Sequence, residues 1–408
     1  MADFAQTRHI TTIHRLGTDR LEHIERKLSE YSKQRPIALV LPSLYSELQG
    51  EALQTIVEIL KQVDYINEIV ITMAGMDEGK FNHAKEFFSQ LPQRHNIIWN
   101  DGPRIGEIYK YLEEKGKHVG QNGKGRSAWL AYGYVIARDR SKVIALHDCD
   151  IVTYDREMLA RLCLPVTDPD SENRFCKGYY SRVSENKING RTTRLLVSPF
   201  IWALKEVLQA QNITSVQKML EYFDEFRYPL AGEFSMAVDL ARMNKIPSDW
   251  GLEIGVLQQV YSNAGAKYVC QAQIADYYEH KHQQLGEEPD KGLYRMAVDI
   301  VKRFYSILAK EGVVLDKNLF HTLVYTYQHQ AQKAIKKFST DAKYNVLEYD
   351  RSQEEHIVET FMKAIRIAGE HYLKDEGIAE IPNWNSVANS VEDIFPRLIE
   401  AVKQDMGK

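Results

Sequence analysis

The sequence predicts an α/β fold built on a largely parallel sheet, and three observations carry that reading. Short apolar runs alternate with helix-period segments from residue 36 to about 150. Polar residues able to do chemistry stand just after those runs. From about residue 290 the pattern becomes mostly helical. Strands alternating with helices imply right-handed crossovers and a sheet covered on both faces.

Each element has its own signal. Ile37-Ala38-Leu39-Val40-Leu41 ends at Pro42 and suits a buried strand. Leu53, Ile56, Leu60 and Val63 recur at helical spacing. Glu68–Thr72 reads as the second strand and ends in Ala74-Gly75. A helix through Phe81–Phe88, a third strand over His95–Trp99, a helix over Ser127–Ala137 and a fourth strand over Val143–Leu146 follow. Residues 174–183 suit another strand, and the following NKINGRTTR a polar loop. Two apolar stripes mark tail helices: Leu293, Met296, Ile300, Phe304 and Leu308, then Ile357, Phe361, Ile365, Ala368 and Tyr372. Residues 1–35 are expected to be an arm or surface helix, with Asp19 and Glu22 as a capping pair. The expected organisation is this arm, a catalytic domain over 36–290 divided near residue 150, and a helical extension over 291–408.

Composition narrows the function. The 408 residues are 44% hydrophobic and 26% charged, which is a globular balance. A net charge of -4 argues against a dedicated nucleic-acid binder but allows a local basic pocket. Four cysteines without a CxxC pair point to reduced thiols in the cytoplasm, and no apolar run suits a signal or a membrane span.

In open parallel sheets, ligands collect at the carboxyl ends of the strands. Pro42-Ser43, Gly75 with Asp77, and Asp148-Cys149-Asp150 stand there. Alternate side chains of an extended segment share a face, so Asp148 and Asp150 can converge on one hard cation such as Mg²⁺ or Mn²⁺. The competing reading is a solvated turn, with Asp155 opening the next helix. Gly123-Lys124-Gly125 before a helix suits phosphate binding through backbone N–H groups and one charge, or else an ordinary turn.

Further motifs lie downstream: Tyr228-Pro229-Leu230-Ala231-Gly232-Glu233, Ser248-Asp249-Trp250-Gly251-Leu252-Glu253-Ile254-Gly255 and His280-Lys281-His282. With the Leu41–Leu44 segment, the glycine–lysine turn and the acidic pair, they resemble the retaining glucosyl-3-phosphoglycerate synthases of the GT-A fold over residues 36–310. Mannosylglycerate synthase is similar more distantly. The resemblance implies a Rossmann-like sheet that holds a nucleotide-sugar donor. Pro42, Ser43, Leu44, Gly75, Lys124, Asp148, Cys149 and Asp150 would contact that donor, and Asp148, Asp150 and His280 would hold Mg²⁺ or Mn²⁺. Gly190, Arg191, Thr192, Thr193 and His282 would bind a small phosphorylated acceptor, with Glu253, Asp249 and Glu233 near the reacting sugar.

The sequence departs from the family pattern at Tyr45-Ser46-Glu47, at Met73–Asp77 and at His282, where an asparagine is expected. The first two touch the nucleotide side and leave UDP or GDP, and glucose or mannose, open. Three readings follow. The first is glucosyl or mannosyl transfer to 3-phosphoglycerate on the route to a compatible solute, or mannosyl transfer to glycerate. The second is a sugar nucleotidyltransferase, and the third a non-catalytic nucleotide-sugar-binding scaffold. No nucleic-acid or membrane partner is expected, and the apolar tail stripes suggest a homodimer.

Overall fold

In the computed structural model of the chain, eight strands form one sheet, with Thr11–Ile13 at one edge and His95–Trp99 at the other. Gln6 and residues 9–17, 19–280, 292–374 and 380–407 are described. The chain enters through β1 (Thr11–Ile13) and α1 (Leu21–Tyr31). β1 differs from the expected surface arm, whereas α1 is a surface helix with only Ile24 and Leu28 buried. β1 pairs in parallel with the far edge of the sheet, and Ile10 beside it is buried. Three residues are too few for a period of two to show. Asp19 takes φ 58° and leaves Arg20 as the helix N-cap without a side-chain hydrogen bond, so the capping pair does not form. Ile24 and Leu28, one turn apart, bury the inner face of α1 against a later helix.

The expected alternation then follows as β2 (Ile37–Leu44), α2 (Glu51–Leu60), β3 (Ile66–Ala74), α3 (Glu78–Phe88), β4 (His95–Trp99), α4 (Pro103–Glu114), α5 (Lys124–Arg138) and β5 (Val143–Leu146). β2 runs three residues past its expected end. It pairs with β5 only as far as Val40↔Leu146, so Pro42–Leu44 project beyond the shorter strand and open a crevice. Asp155 caps α6 (Arg156–Thr167), as expected, by accepting from the Met158 amide at 2.7 Å.

After β6 (Phe175–Tyr180) come a two-strand hairpin, β7 (Val183–Ser184) and β8 (Lys187–Ile188), and helices α7 (Ser198–Ala210) and α8 (Gln217–Glu225). The expected polar loop is only partly one. The chain turns helical at Arg191 and winds as a wider π turn over Thr192–Val197 into α7. β9 (Phe234–Ala237) enters antiparallel between β5 and β6, followed by α9 (Val238–Met243), β10 (Ile246–Pro247), α10 (Leu252–Asn263) and β11 (Val269–Ala275).

The tail comprises α11 (Gly292–Lys310), α12 (Lys317–Tyr344), α13 (Arg351–Leu373), β12 (Glu380–Ile381), α14 (Trp384–Ser390) and α15 (Ile394–Asp405). Leu293, Ile300, Phe304, Leu308, Ile357, Phe361, Ile365 and Ala368 of the two stripes are buried within the chain. One face of the sheet packs on α1, α2, α3 and α6, while α4, α5 and the tail cover the other. The tail also crosses back over the molecule: β12 pairs with β10 in a separate two-stranded sheet, and α15 lies on α4 and α5. Trp384 stacks on Trp129 with ring centroids 4.1 Å apart. Each indole N–H donates at 2.8 Å to a carbonyl of the opposite segment, Trp384 to Trp129 and Trp129 to Pro382. Among the described residues no helix is long and apolar enough to cross a membrane.

Trp384→Ala removes a fully buried ring and its hydrogen bond to the Trp129 carbonyl. It is expected to lower stability by about 3–5 kcal/mol, read as a drop in the urea midpoint with unchanged slope.

Candidate active site

The strand ends open onto one cavity of about 960 Å³. Its walls include Pro42, Ser43 and Leu44 from the overhang of β2, the turn after β5, the start of α5, the 228–232 segment and the 190–192 turn. The antiparallel β9 explains much of this. Leu146 pairs with Phe234, so Gly232 and Glu233 run directly beside His147 and Asp148. A side chain at 232 would collide with the Asp148 carboxylate, which requires glycine there.

Lys124 ties three elements together at the floor. Its Nζ lies 2.6 Å from Asp148 Oδ1 and 3.2 Å from Glu253 Oε1, in the first turn of α10. Burial works against the lysine charge, but the two carboxylates overcome it and raise the ammonium above the ordinary lysine range. Asp148 in turn is held ionised below the usual carboxylate range by Lys124, against the opposing effect of burial. Lys124 also lowers Asp150 but is outweighed there. Burial first and Asp148 second push it up to about 7.

The Ile151↔His280 bridge brings the distant histidine to the acidic pair, with Nδ1 3.7 Å from Asp150 Oδ2. Asp148 itself turns to Lys124, and among the described residues no three His, Cys, Asp or Glu groups stand together as a ready ligand set. The donor chemistry nonetheless fits a hard cation at Asp150 and His280, because a crowded carboxylate beside an imidazole needs positive charge.

The glycines of the Lys124 turn have a packing role. The Pro247–Ser248 backbone passes so close to Gly123 and Gly125 that a Cβ on either would collide with a carbonyl oxygen. The turn is therefore shaped by packing, and Lys124 is its charged contribution to the cavity.

The remaining candidate residues divide. Cys149 lines the cavity, its thiol pushed well up by burial and then by the flanking aspartates. Asp249 lines it too, while its Oδ1 accepts from the Gly251 amide at 2.9 Å. Gly190, at φ 74°, Arg191 and Thr192 line the far end. Thr193 does not. It is the next residue of the π turn and is buried. Gly75 also falls outside the walls, its amide donating to Asp101 at 2.6 Å.

Glu233 stands one layer back from the cavity. It is fully buried behind the wall, where Tyr180 and Tyr278 each donate a hydroxyl to it at 2.8 Å. Their rings stack 3.7 Å apart. Burial first and Asp148 second raise its pKa, and the two hydroxyls offset part of that. Glu233 props the ring pair and touches no ligand space. His282 lies outside the described residues.

Sequence reasoning missed two cations on one strand and its exit. Arg182 lines the cavity near Gly190 and donates to the Tyr228 hydroxyl at 3.3 Å. Lys177 is fully buried, and its Nζ has no hydrogen-bond partner among the described residues. It lies 5.3 Å from the centre of the Phe234 ring. Burial lowers it from 10.5 to about 8, with Glu253 and Glu233 resisting. Charges inside an otherwise apolar run were the available signal.

No family model matches the chain. Curated relatives do. The chain is 40% identical to glucosyl-3-phosphoglycerate synthase of Persephonella marina over 406 residues, 99% of each protein. It is 36% identical to the synthase of Methanococcoides burtonii, covering 99% of this chain and 98% of that one. The chain belongs to the glucosyl-3-phosphoglycerate synthase family. Crystal structures of the Mycobacterium tuberculosis synthase share the fold. One, with Mn²⁺, UDP-glucose and phosphoglyceric acid, matches at TM-score 0.54 and 19% identity, covering 76% of this chain and 89% of that one. Another, with Mg²⁺ and UDP, matches at TM-score 0.52 and 20% identity, covering 76% and 89%. Of the three sequence readings, membership of this family selects glycosyl transfer.

The Lys177 amine sets a stability test. Its folded pKa is depressed, so between pH 8 and 10.5 the unfolded chain binds the proton that the folded chain has lost. Stability from this group therefore rises with pH across that window, by about 3 kcal/mol in full. Lys177→Met is expected to be the more stable protein at pH 7, with the gap closing toward pH 10. Urea unfolding at both pH values measures it, and parallel pH slopes for the two proteins would exclude it.

Proposed function

We propose that this chain transfers glucose from a nucleoside diphosphate glucose, UDP-glucose in the first instance, to 3-phosphoglycerate with retention at the anomeric carbon. One observation carries the reading: a single cavity holds Lys124 between Asp148 and Glu253 at one end and Arg191 with Arg182 around the Gly190 turn at the other. The first end suits a diphosphate and the second a small phosphate.

The residues take these roles. Pro42, Ser43 and Leu44 line the nucleotide side. Asp150 and His280, with Asp148, would hold Mg²⁺ or Mn²⁺. When bound, such an ion neutralises charge on the leaving diphosphate. Lys124 supplies a fixed positive charge beside it. Arg191, with Thr192, binds the acceptor phosphate, and Arg182 adds a second guanidinium. Glu253 is held by Lys124 and so orients sugar or acceptor hydroxyls instead of attacking. On same-face displacement the bond from the anomeric carbon to the diphosphate oxygen breaks. The bond to the acceptor hydroxyl oxygen forms, and the hydroxyl proton passes to the leaving diphosphate.

The four cysteines are free and buried, which suits the cytoplasm. The apolar stripes that suggested a homodimer are buried within the chain, so pairing would use other surfaces.

Arg191→Ala is expected to raise the acceptor KM at least about tenfold, equivalent to about 1.4 kcal/mol, with the donor KM unchanged. Equal turnover of glycerate and 3-phosphoglycerate, unaffected by that change, overturns the reading. Asp150→Ala is expected to abolish the dependence of turnover on Mn²⁺, followed by metal titration of the full-length protein.

A further inference from the structure

A buried network joins the Gly190 turn to the tail. Arg194 lies just past the turn, and its guanidinium reaches in two directions. Nε donates to the Asn189 carbonyl at 2.8 Å and Nη2 to the Ile188 carbonyl at 3.2 Å. Nη1 and Nη2 also donate to the two oxygens of Glu354, at 2.7 and 2.9 Å. Glu354 sits in the first turn of α13, and the two side chains are only 7% and 9% exposed. The Phe338 ring of α12 lies 4.8 Å from the guanidinium carbon. Beside this pair, the Glu348 amide donates to the Asn186 carbonyl at 2.8 Å and ties the β7–β8 hairpin to the same α12–α13 connection.

A buried ion pair is weak evidence for stability, because desolvation offsets much of its attraction. Its effect here is on geometry. One planar fork ties two consecutive carbonyls, those of Ile188 and Asn189, to a carboxylate of the tail. Those carbonyls immediately precede Gly190, whose φ of 74° sets the direction in which Arg191 leaves the turn. Asn189, Gly190 and Arg191 line the cavity, whereas Arg194 and Glu354 do not.

We propose that Arg194 and Glu354 are positioning residues for the acceptor: the tail helices hold residues 188–191 so that Arg191 meets the acceptor phosphate. This rests on the reading of the Gly190 turn as the acceptor site. Neither residue touches the ligand, so their removal acts through the shape of the turn. Small misplacements of a binding group are costly to catalysis.

The test uses the full-length enzyme with UDP-glucose, 3-phosphoglycerate and Mn²⁺. Glu354→Gln removes the charge that holds the fork, and Arg194→Lys keeps the charge but loses the planar donors. If one variant fails to fold, the other carries the test. Tyr327→Phe is the control for general weakening, because it deletes a 2.5 Å bond to the Leu195 carbonyl in the same layer without touching the turn. Glu354→Gln and Arg194→Lys are expected to raise the acceptor KM about tenfold, with the donor KM constant within about twofold. Tyr327→Phe is expected to lower Tm and leave the acceptor KM alone. An unmoved acceptor KM in both variants, or equal shifts in both KM values, overturns the inference. If that happens while Arg191→Ala still raises the acceptor KM, only the positioning role fails. If Arg191→Ala also has no effect, the acceptor reading fails with it.

Discussion

The ammonium of Lys124 is the point on which the cavity depends. It stands at the start of α5 and meets carboxylates from the turn after β5 and from the first turn of α10. Four carboxylates, of Asp148, Asp150, Glu233 and Glu253, are gathered in this small volume, and a low-dielectric setting does not tolerate them all as bare anions. The structure distributes the strain unequally. Asp148 is held charged by Lys124, Glu233 is screened by two tyrosine hydroxyls, and Asp150 is left needing positive charge. That asymmetry leaves Asp150 less compensated than Asp148.

The second constraint is the reversed strand. With β9 antiparallel, the 228–233 segment is delivered to the same end of the sheet as the parallel strand ends. The approach is so close that Gly232 must lack a side chain beside Asp148. A similar closeness governs Gly123 and Gly125, which let the Pro247–Ser248 backbone press against the start of α5. These glycines act as packing elements that let charged side chains converge.

The tail then locks both halves. β12 extends β10, Trp384 covers Trp129 on α5, and Arg303 of α11, fully buried, donates to Glu380 at 2.8 Å. The start of α5 and the 247–253 segment are thereby backed by residues of the distant tail. The Gly190 turn is backed in the same way through Arg194 and Glu354.

By itself the sequence determined the alternating elements from residue 36 to 150, because apolar runs and helical stripes are local patterns of burial. It also marked the acidic pair and the lysine as candidates for chemistry, and the resemblance to the synthase family added Arg191 and Glu253. Only the tertiary structure decided the rest. β1 joined the sheet because its partner β11 lies 259 positions along the chain, as Thr11↔Cys270 shows. Glu233 is buried one layer behind the cavity against two tyrosine hydroxyls, and Thr193 is buried in the π turn. Lys177 and Arg182 were hidden because a charge in a strand acquires meaning only from what crosses over it. Such relations depend on distances across the sheet, which no local pattern records.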